Sequence, residues 1–334
     1  MTTVLLAGAG AVGARTARQL IETPGLDRLL VAARAIEQAR ELAGALGAGA
    51  TPVPLDGNFP EAVDAIAIAV PGRAAARLAG QALAAGVPVA AATDDEEGLA
   101  GLLALDERAR ARGLLVAAGC GLVPGLSDVL ARHAADALDE ADEVHIARVG
   151  AAGPECVAAV RKARRDRARE WHDGAWHTPR RLGPQLVWFP DPIGARECEV
   201  VAPGVELLRD ALPEVRHASV RFGEPPVRNA ARALVARRPL DDGWGGARIE
   251  VWGWKGRERA SIVYGVIERP AVAAGTVLAV TAARLAGLVP QVTLRAEQRG
   301  VRALGAIVDP PAFLAELARR GVKAAAFEGV LMGA

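Results

Sequence analysis

The stretch Gly8-Ala9-Gly10-Ala11-Val12-Gly13 constrains this chain more than any other. It follows the apolar run 4–7 and opens a segment with helical spacing at 13–22. Three glycines at that spacing have separate tasks. Gly8 allows a tight turn, Gly10 lets the backbone approach a pyrophosphate, and Gly13 lets the new helix lie against the strand. The free N–H groups of a helix start, with the helix dipole, attract the anion. Gly8, Gly10, Ala11, Val12 and Gly13 are therefore expected to cradle a dinucleotide.

The surrounding rhythm supports this. Apolar runs at 4–7, 29–33, 51–55, 65–70, 87–92 and 114–118 alternate with helical patterns at 13–22, 36–46, 73–85 and 98–112. Strands apolar on both faces, with helices between them, predict an α/β fold: a doubly wound parallel sheet of the Rossmann type. A helix over 124–137 leads out of it. Beyond, Asp173-Gly174 lies between alternating residues and predicts a hairpin, and a second is expected over 249–254 and 261–267. Helices are expected over 155–165, 205–211, 227–237 and 311–320, and 272–288 reads as a helix apolar all round and hence buried. The division expected is a nucleotide-binding domain over 1–125, a mixed α/β substrate and dimerisation domain over 126–290, and a C-terminal segment, 291–334, that packs back on the first domain.

Charge separates the two parts. Residues 1–150 carry 12 arginines, no lysine and 19 acids, a net of −7, whereas the remainder carries +8 and all six tryptophans. The net charge of +1 gives no reason to expect nucleic acid as partner. No apolar run is long enough for a membrane span. Cys120, Cys156 and Cys198 form no Cys-x-x-Cys pair, and an odd count suits a reducing, cytoplasmic setting.

Cofactor choice turns on the end of the second strand. A 2′-hydroxyl is usually held by an acid there, but the sequence reads Val31-Ala32-Ala33-Arg34. Arg34 suits a 2′-phosphate, so NADPH is expected over NADH. Asp56, after the third strand, is either a partner for the adenine amine or an ordinary loop residue. Val70 and Pro71 follow the fourth strand, where such folds pass over the pyrophosphate. Thr93 follows the fifth strand on the cofactor side.

Taken in order, the glycine-rich start, Ala33-Arg34, Asp56, Ala69-Val70-Pro71, Ala91-Ala92-Thr93-Asp94 and Gly119-Cys120-Gly121-Leu122-Val123-Pro124-Gly125-Leu126 resemble the saccharopine dehydrogenase-like reductases. Lysine dehydrogenases and carboxynorspermidine dehydrogenases are among them. The Gly-x-x-Pro-Gly-Leu loop is the most specific element. The hairpin around Trp171 and Trp176, Val187-Trp188-Phe189-Pro190 and Ala211-Leu212-Pro213-Glu214-Val215 are similar more loosely. The resemblance implies a nicotinamide-dependent oxidoreductase acting at a carbon–nitrogen bond, with Cys120 and Gly121 lining the pocket near the nicotinamide. The chain is too compact for the large inserted domain of the bigger saccharopine enzymes.

Three side chains are candidates for the chemistry. Asp94 follows the fifth strand and would orient a cationic amine or iminium, although Thr93-x-x-Glu96 and Asp94-x-x-Glu97 also read as capping boxes. Tyr264, the sole tyrosine, would donate a proton or else pack on its strand. His177 would act as a general acid or else sit exposed beside the hairpin turn. His133 reads as a satisfied histidine on an apolar helix stripe. The sequence offers no third ligand to join His172 and His177, so no metal is expected. The basic run 161–167 reads as a solvated face, with recognition of a substrate carboxylate as the functional alternative. The reading is thus imine reduction on a small amine or amino-acid-like substrate by a homodimer. Carbonyl or enoyl reduction, and NADPH sensing without turnover, are the alternatives.

Overall fold

The computed structural model describes residues 1–55, 62–179, 183–223, 243–295 and 299–328; Asp56 and the helix expected over 227–237 lie outside them. The first third alternates strand and helix: β1 (Thr3–Ala7), α1 (Ala11–Ile21), β2 (Arg28–Ala33), α2 (Ile36–Leu46), β3 (Ala50–Pro54), β4 (Ala65–Ile68), α3 (Arg73–Ala84), β5 (Val89–Ala91), α4 (Glu96–Leu103), α5 (Asp106–Ala111) and β6 (Leu115–Ala118). The single helix expected over 98–112 is thus two. Asp106 opens the second, and its carboxylate accepts from the Val301 N–H at 2.8 Å.

Then follow α6 (Leu126–Asp136), β7 (Glu140–Val149), α7 (Pro154–Ala163), β8 (Glu170–His172), β9 (Ala175–His177), β10 (Gln185–Phe189), β11 (Gly194–Val201), α8 (Val205–Ala211), β12 (His217–Gly223), β13 (Gly245–Lys255) and β14 (Glu258–Glu268). The chain closes with α9 (Pro270–Leu285), β15 (Gly300–Ala303), α10 (Leu304–Ile307), α11 (Pro310–Arg319) and β16 (Ala325–Glu328).

Seven parallel strands form the first sheet in the order β15-β6-β5-β4-β1-β2-β3. Strands β1, β4, β5 and β6 are buried at every position, as a sheet covered on both faces requires. The order reverses between β1 and β4, and a ligand crevice opens at the carboxyl ends of strands at such a point. The second sheet is mixed, in the order β10-β11-β12-β7-β13-β14-β16, with the β8–β9 hairpin on β12. Val144, Ile146, Phe222, Ile249 and Val251 share one apolar core with α6 and the first sheet.

Two segments join the sheets. Helix α9 is buried along almost its whole length, and it lies on α1. A Cβ at Gly275 would stand 2.5 Å from the Arg15 Cβ and 3.0 Å from the Val12 oxygen, so the two helices meet at backbone distance. The C-terminal segment serves both sheets: β15 extends the first in parallel, while β16 pairs antiparallel with β14 in the second.

Candidate functional site

Each glycine of the first loop has a distinct environment. Gly8 has φ +118°, and a Cβ on it would lie 2.4 Å from the Ala69 oxygen. A Cβ on Gly13 would lie 1.9 Å from the Gly8 oxygen, so only hydrogen fits. Gly10 is exposed and nothing lies within 4 Å of its Cβ position. The first and third glycines thus close the turn, while the second faces open space. Gly10 is also the N-cap of α1, with no side-chain cap and no acid in the first turn. The N–H groups of that turn, at half-buried Ala11 and Val12, carry the helix's positive end. A cradle of this kind fits a pyrophosphate.

Neighbouring loops complete it. The Ala69 N–H donates to the Ala7 oxygen at 2.8 Å, and Val70 packs close over Gly8. Pro71 is exposed at the mouth. Arg34 stands exposed at the end of β2 with no partner among the described residues. Thr93 is buried, and its hydroxyl oxygen has no hydrogen-bond partner among the described residues. Such a hydroxyl, past the carboxyl end of β5, keeps its hydrogen-bonding capacity for a ligand. The expected capping boxes do not form, because the N3 position of α4 is held by Gly98, which has no side chain to reach back. Asp95 is the N-cap of α4: its Oδ1 accepts from the Gly98 N–H at 2.8 Å and its Oδ2 from the Gly72 N–H at 2.9 Å. It ties the β4 and β5 loops together and leaves Asp94 outside the cap.

Asp94 has partners the sequence did not suggest. Its Oδ2 takes the Arg148 Nη2 at 2.9 Å and the Cys156 thiol at 3.1 Å, leaving Oδ1 without a partner among the described residues. Arg148 is buried, donates through Nη1 to the Val123 oxygen at 2.8 Å, and stacks 4.0 Å from the centre of the Phe222 ring. Arg148 alternates with Ala147 and Val149 along β7, so it points to the side of the sheet that carries α6 rather than the outer face. Its Nε is buried and unpaired among the described residues. The Gly-x-x-Pro-Gly-Leu loop explains the anchorage. Gly125 has φ +134°, and a Cβ there would lie 2.3 Å from the oxygens of both Gly119 and Gly121. The loop folds on its own backbone and presents the Val123 carbonyl to Arg148. Burial, then the neighbouring Asp94, push the Cys156 thiol up to about 12, so it is a hydrogen-bond donor and not a nucleophile.

Beside this triad a cavity of about 230 Å³ lies between Gly72, the start of α4 and α7. Asp95, Glu96, Glu97, Glu155 and Asp166 line it with Lys162 as the one cation among them. A larger cavity of about 490 Å³ sits on the outer face of the mixed sheet, between β10 and His145, Arg221 and Arg248. It is the roomier of the two, yet it faces away from Arg148 and the cradle. Burial holds the His145 imidazole below its usual range, and its Nδ1 lies 2.8 Å from the Ser219 hydroxyl.

Several expected site residues are placed elsewhere. Cys120 is fully buried, its thiol 3.2 Å from the Ala117 oxygen and raised to about 12 by burial, so its side chain cannot line a pocket. Gly121 stays half-buried within the loop. Tyr264 stacks on His133, ring centres 5.9 Å apart, between β14 and α6. His177 is exposed on β9 and meets the His172 ring edge-on. The fold does not gather Asp94, Tyr264 and His177: each has a separate set of neighbours. It also supplies what the sequence reading lacked beside His172, namely Asp173 and His217. Arg148 and Cys156 were missed; the only signal was an arginine at the end of an apolar strand.

No family model and no curated protein matches the chain. Solved structures do. The apo, histidine-tagged saccharopine dehydrogenase (L-Glu forming) of Saccharomyces cerevisiae superposes with a TM-score of 0.68 at 14% identity, covering 98% of this chain and 100% of that one. A six-site mutant of the meso-DAPDH of Clostridium tetani with DAP gives 0.53 at 13% identity, covering 96% and 99%. Among the described residues no helix is long and apolar enough to cross a membrane. At such identities the likeness is one of architecture, and on that ground this α/β chain has the two-sheet fold of saccharopine dehydrogenase, the fold that the order of its motifs led us to expect.

Proposed function

We propose that this chain is an NADPH-dependent oxidoreductase that reduces the C=N bond of an imine made from a small, amine-bearing substrate. The observation that carries this reading is Asp94, a carboxylate at the carboxyl edge of β5 with one oxygen fixed by Arg148 and Cys156 and the other available. NADPH, when bound, supplies the hydride. Gly10 and the start of α1 would hold its pyrophosphate, Arg34 its 2′-phosphate, and Thr93 would use its unpaired hydroxyl.

The remaining work falls to this chain's own groups. A protonated imine accepts hydride at carbon and leaves a neutral amine, so the step requires a counter-anion for the iminium and no further proton donor. Asp94 Oδ1 meets that need, and Arg148 keeps the carboxylate oriented. The absence of Tyr264 and His177 from the Asp94 cluster is consistent with such chemistry. Asp95 is committed to the Gly98 and Gly72 N–H groups, Glu96 pairs with Arg169 and Glu97 with Arg73. Asp94 Oδ1 is therefore the oxygen offered to a cationic amine, while Lys162, 4.0 Å from Asp166, offers a site for a carboxylate on the same substrate. A homodimer is supported by β10, where Leu186 is 72% and Trp188 51% exposed.

The test is NADPH oxidation with a panel of amines and aldehydes. Turnover that needs both components supports imine reduction. Turnover with the carbonyl alone would make the chain a carbonyl reductase. A melting shift with NADPH and no turnover would make it a binding protein.

A further inference from the structure

The turn of the β8–β9 hairpin carries a cluster outside the site described above. His172 on β8 lies directly opposite His217 on β12 in the antiparallel register. Side chains in that relation stand on the same face of the sheet and within contact of one another. Their imidazoles stack with centres 3.9 Å apart and planes within 10°. Asp173 follows at the turn, with its Oδ2 3.3 Å from the His172 Nδ1 and 3.6 Å from the His217 Nε2. One ligand atom from each of the three residues lies within 4.8 Å of the other two.

The second carboxylate oxygen is already committed. Asp173 Oδ1 accepts from the Arg216 Nε at 3.0 Å and Nη2 at 2.5 Å, so Oδ2 is the oxygen left toward the imidazoles. The His217 Nε2 is buried and makes no hydrogen bond among the described residues. A tetrahedral zinc ion, bound at about 2.0–2.1 Å, holds its ligand atoms roughly 3.3–3.4 Å apart. Two of the three separations here are close to that.

We propose that His172, Asp173 and His217 form a two-histidine, one-carboxylate site for a single divalent transition-metal ion, zinc first, which clips the hairpin to β12. Neutral imidazoles with a carboxylate suit zinc among the divalent ions. Uptake requires the two parallel rings to tilt toward a common centre, and the exposure of His172 permits it. Water or His177, whose ring centre is 5.4 Å from that of His172, takes the fourth position. The clip would hold a structural unit. Trp171 of the hairpin lies under the Arg209 guanidinium at 3.3 Å, and Arg169 at its base pairs with Glu96 on the cavity rim at 3.6 Å.

The test uses the full-length, tag-free protein stripped with EDTA, titrated with zinc chloride by calorimetry and followed by melting. The expected result is one equivalent bound with a melting temperature raised by several degrees. The Asp173→Asn variant should bind at least about tenfold more weakly, and the His172→Gln/His217→Gln double variant should lose both responses. His133→Gln, remote from the cluster, should keep them. Cobalt(II) gives a second reading, a visible d–d spectrum in the wild type that the double variant lacks. Absence of saturable zinc binding to the wild type, or binding that survives the double substitution, overturns the proposal.

Discussion

The two sheets of this protein carry their candidate sites in opposite ways. The parallel sheet presents backbone: glycines, a helix start, and one exposed arginine, nearly all within residues 8–34. The mixed sheet and the cleft beside it use side chains brought together across the chain. Arg148 on β7 meets Asp94 after β5 and Cys156 on α7, and His217 on β12 meets His172 on β8. A site built from backbone is written in contiguous sequence because the local turn is the site. A site built from side chains exists only once the strands have been paired.

Substitutions can break that contrast, and the first loop is where the effect is largest. Gly13→Val forces a Cβ into the Gly8 oxygen and should destabilise the protein by about 3 kcal/mol or more, read by urea unfolding. Gly10→Val meets only open space, so its stability should stay within about 1 kcal/mol of the wild type, while NADPH binding falls at least about a hundredfold. If Gly10→Val binds NADPH normally, the pyrophosphate is not held at this turn.

Arg148→Met probes the assembled side. It leaves Asp94 with only the Cys156 thiol and removes the arginine from the Val123 carbonyl. The expected loss is about 3 kcal/mol, the lower end for a broken buried pair because the Asp94 side chain keeps that donor and is 26% exposed. Activity should fall with it. Full activity in this variant would remove Arg148 from the site. Arg34→Ala acts on the contiguous side without touching the fold: the KM for NADPH should rise about tenfold or more with kcat and the KM for NADH unchanged. An equal rise for both cofactors would refute a 2′-phosphate contact.

The smallest effect is expected at Asp128, on α6 between the two sheets. Burial lifts its carboxyl from 3.8 to about 7. Between those values the folded chain holds a proton that the unfolded chain has released, so stability falls as pH rises from about 4 to 7. Asp128→Asn keeps an oxygen for the Ser127 hydroxyl, which donates at 2.8 Å, and should abolish this slope. The gain at pH 8 should be about 1–2 kcal/mol, well under the full shift, because a buried polar amide replaces the charge. A melting temperature that stays as steep between pH 4 and 7 would show that Asp128 is not the group responsible.

The steric need for glycine at positions 8 and 13 was legible because the turn is local and its rules depend on neighbours in the chain. The buried helix expected over 272–288, found at Pro270–Leu285, was legible from its composition, but its seat on α1 was not, since nothing in a string of alanines and valines names the helix that Gly275 will touch. Asp94 was legible only as a position. Its partners lie 54 and 62 residues further on, and the cap that competed for it turned out to be Asp95. Cys120 was misread because a glycine-flanked thiol looks accessible in sequence, whereas the loop turns it into the core beneath the sheet.

By itself, then, the sequence determined the parallel sheet, the glycine turn into α1 and the hairpins, all of which follow from short-range periodicity and turn chemistry. Only the tertiary structure decided which side chains face one another across the cleft. Strand register and the crossing of β7 with the Gly-x-x-Pro-Gly-Leu loop depend on contacts between distant segments. No local propensity encodes them, and they set the charge beside the cradle.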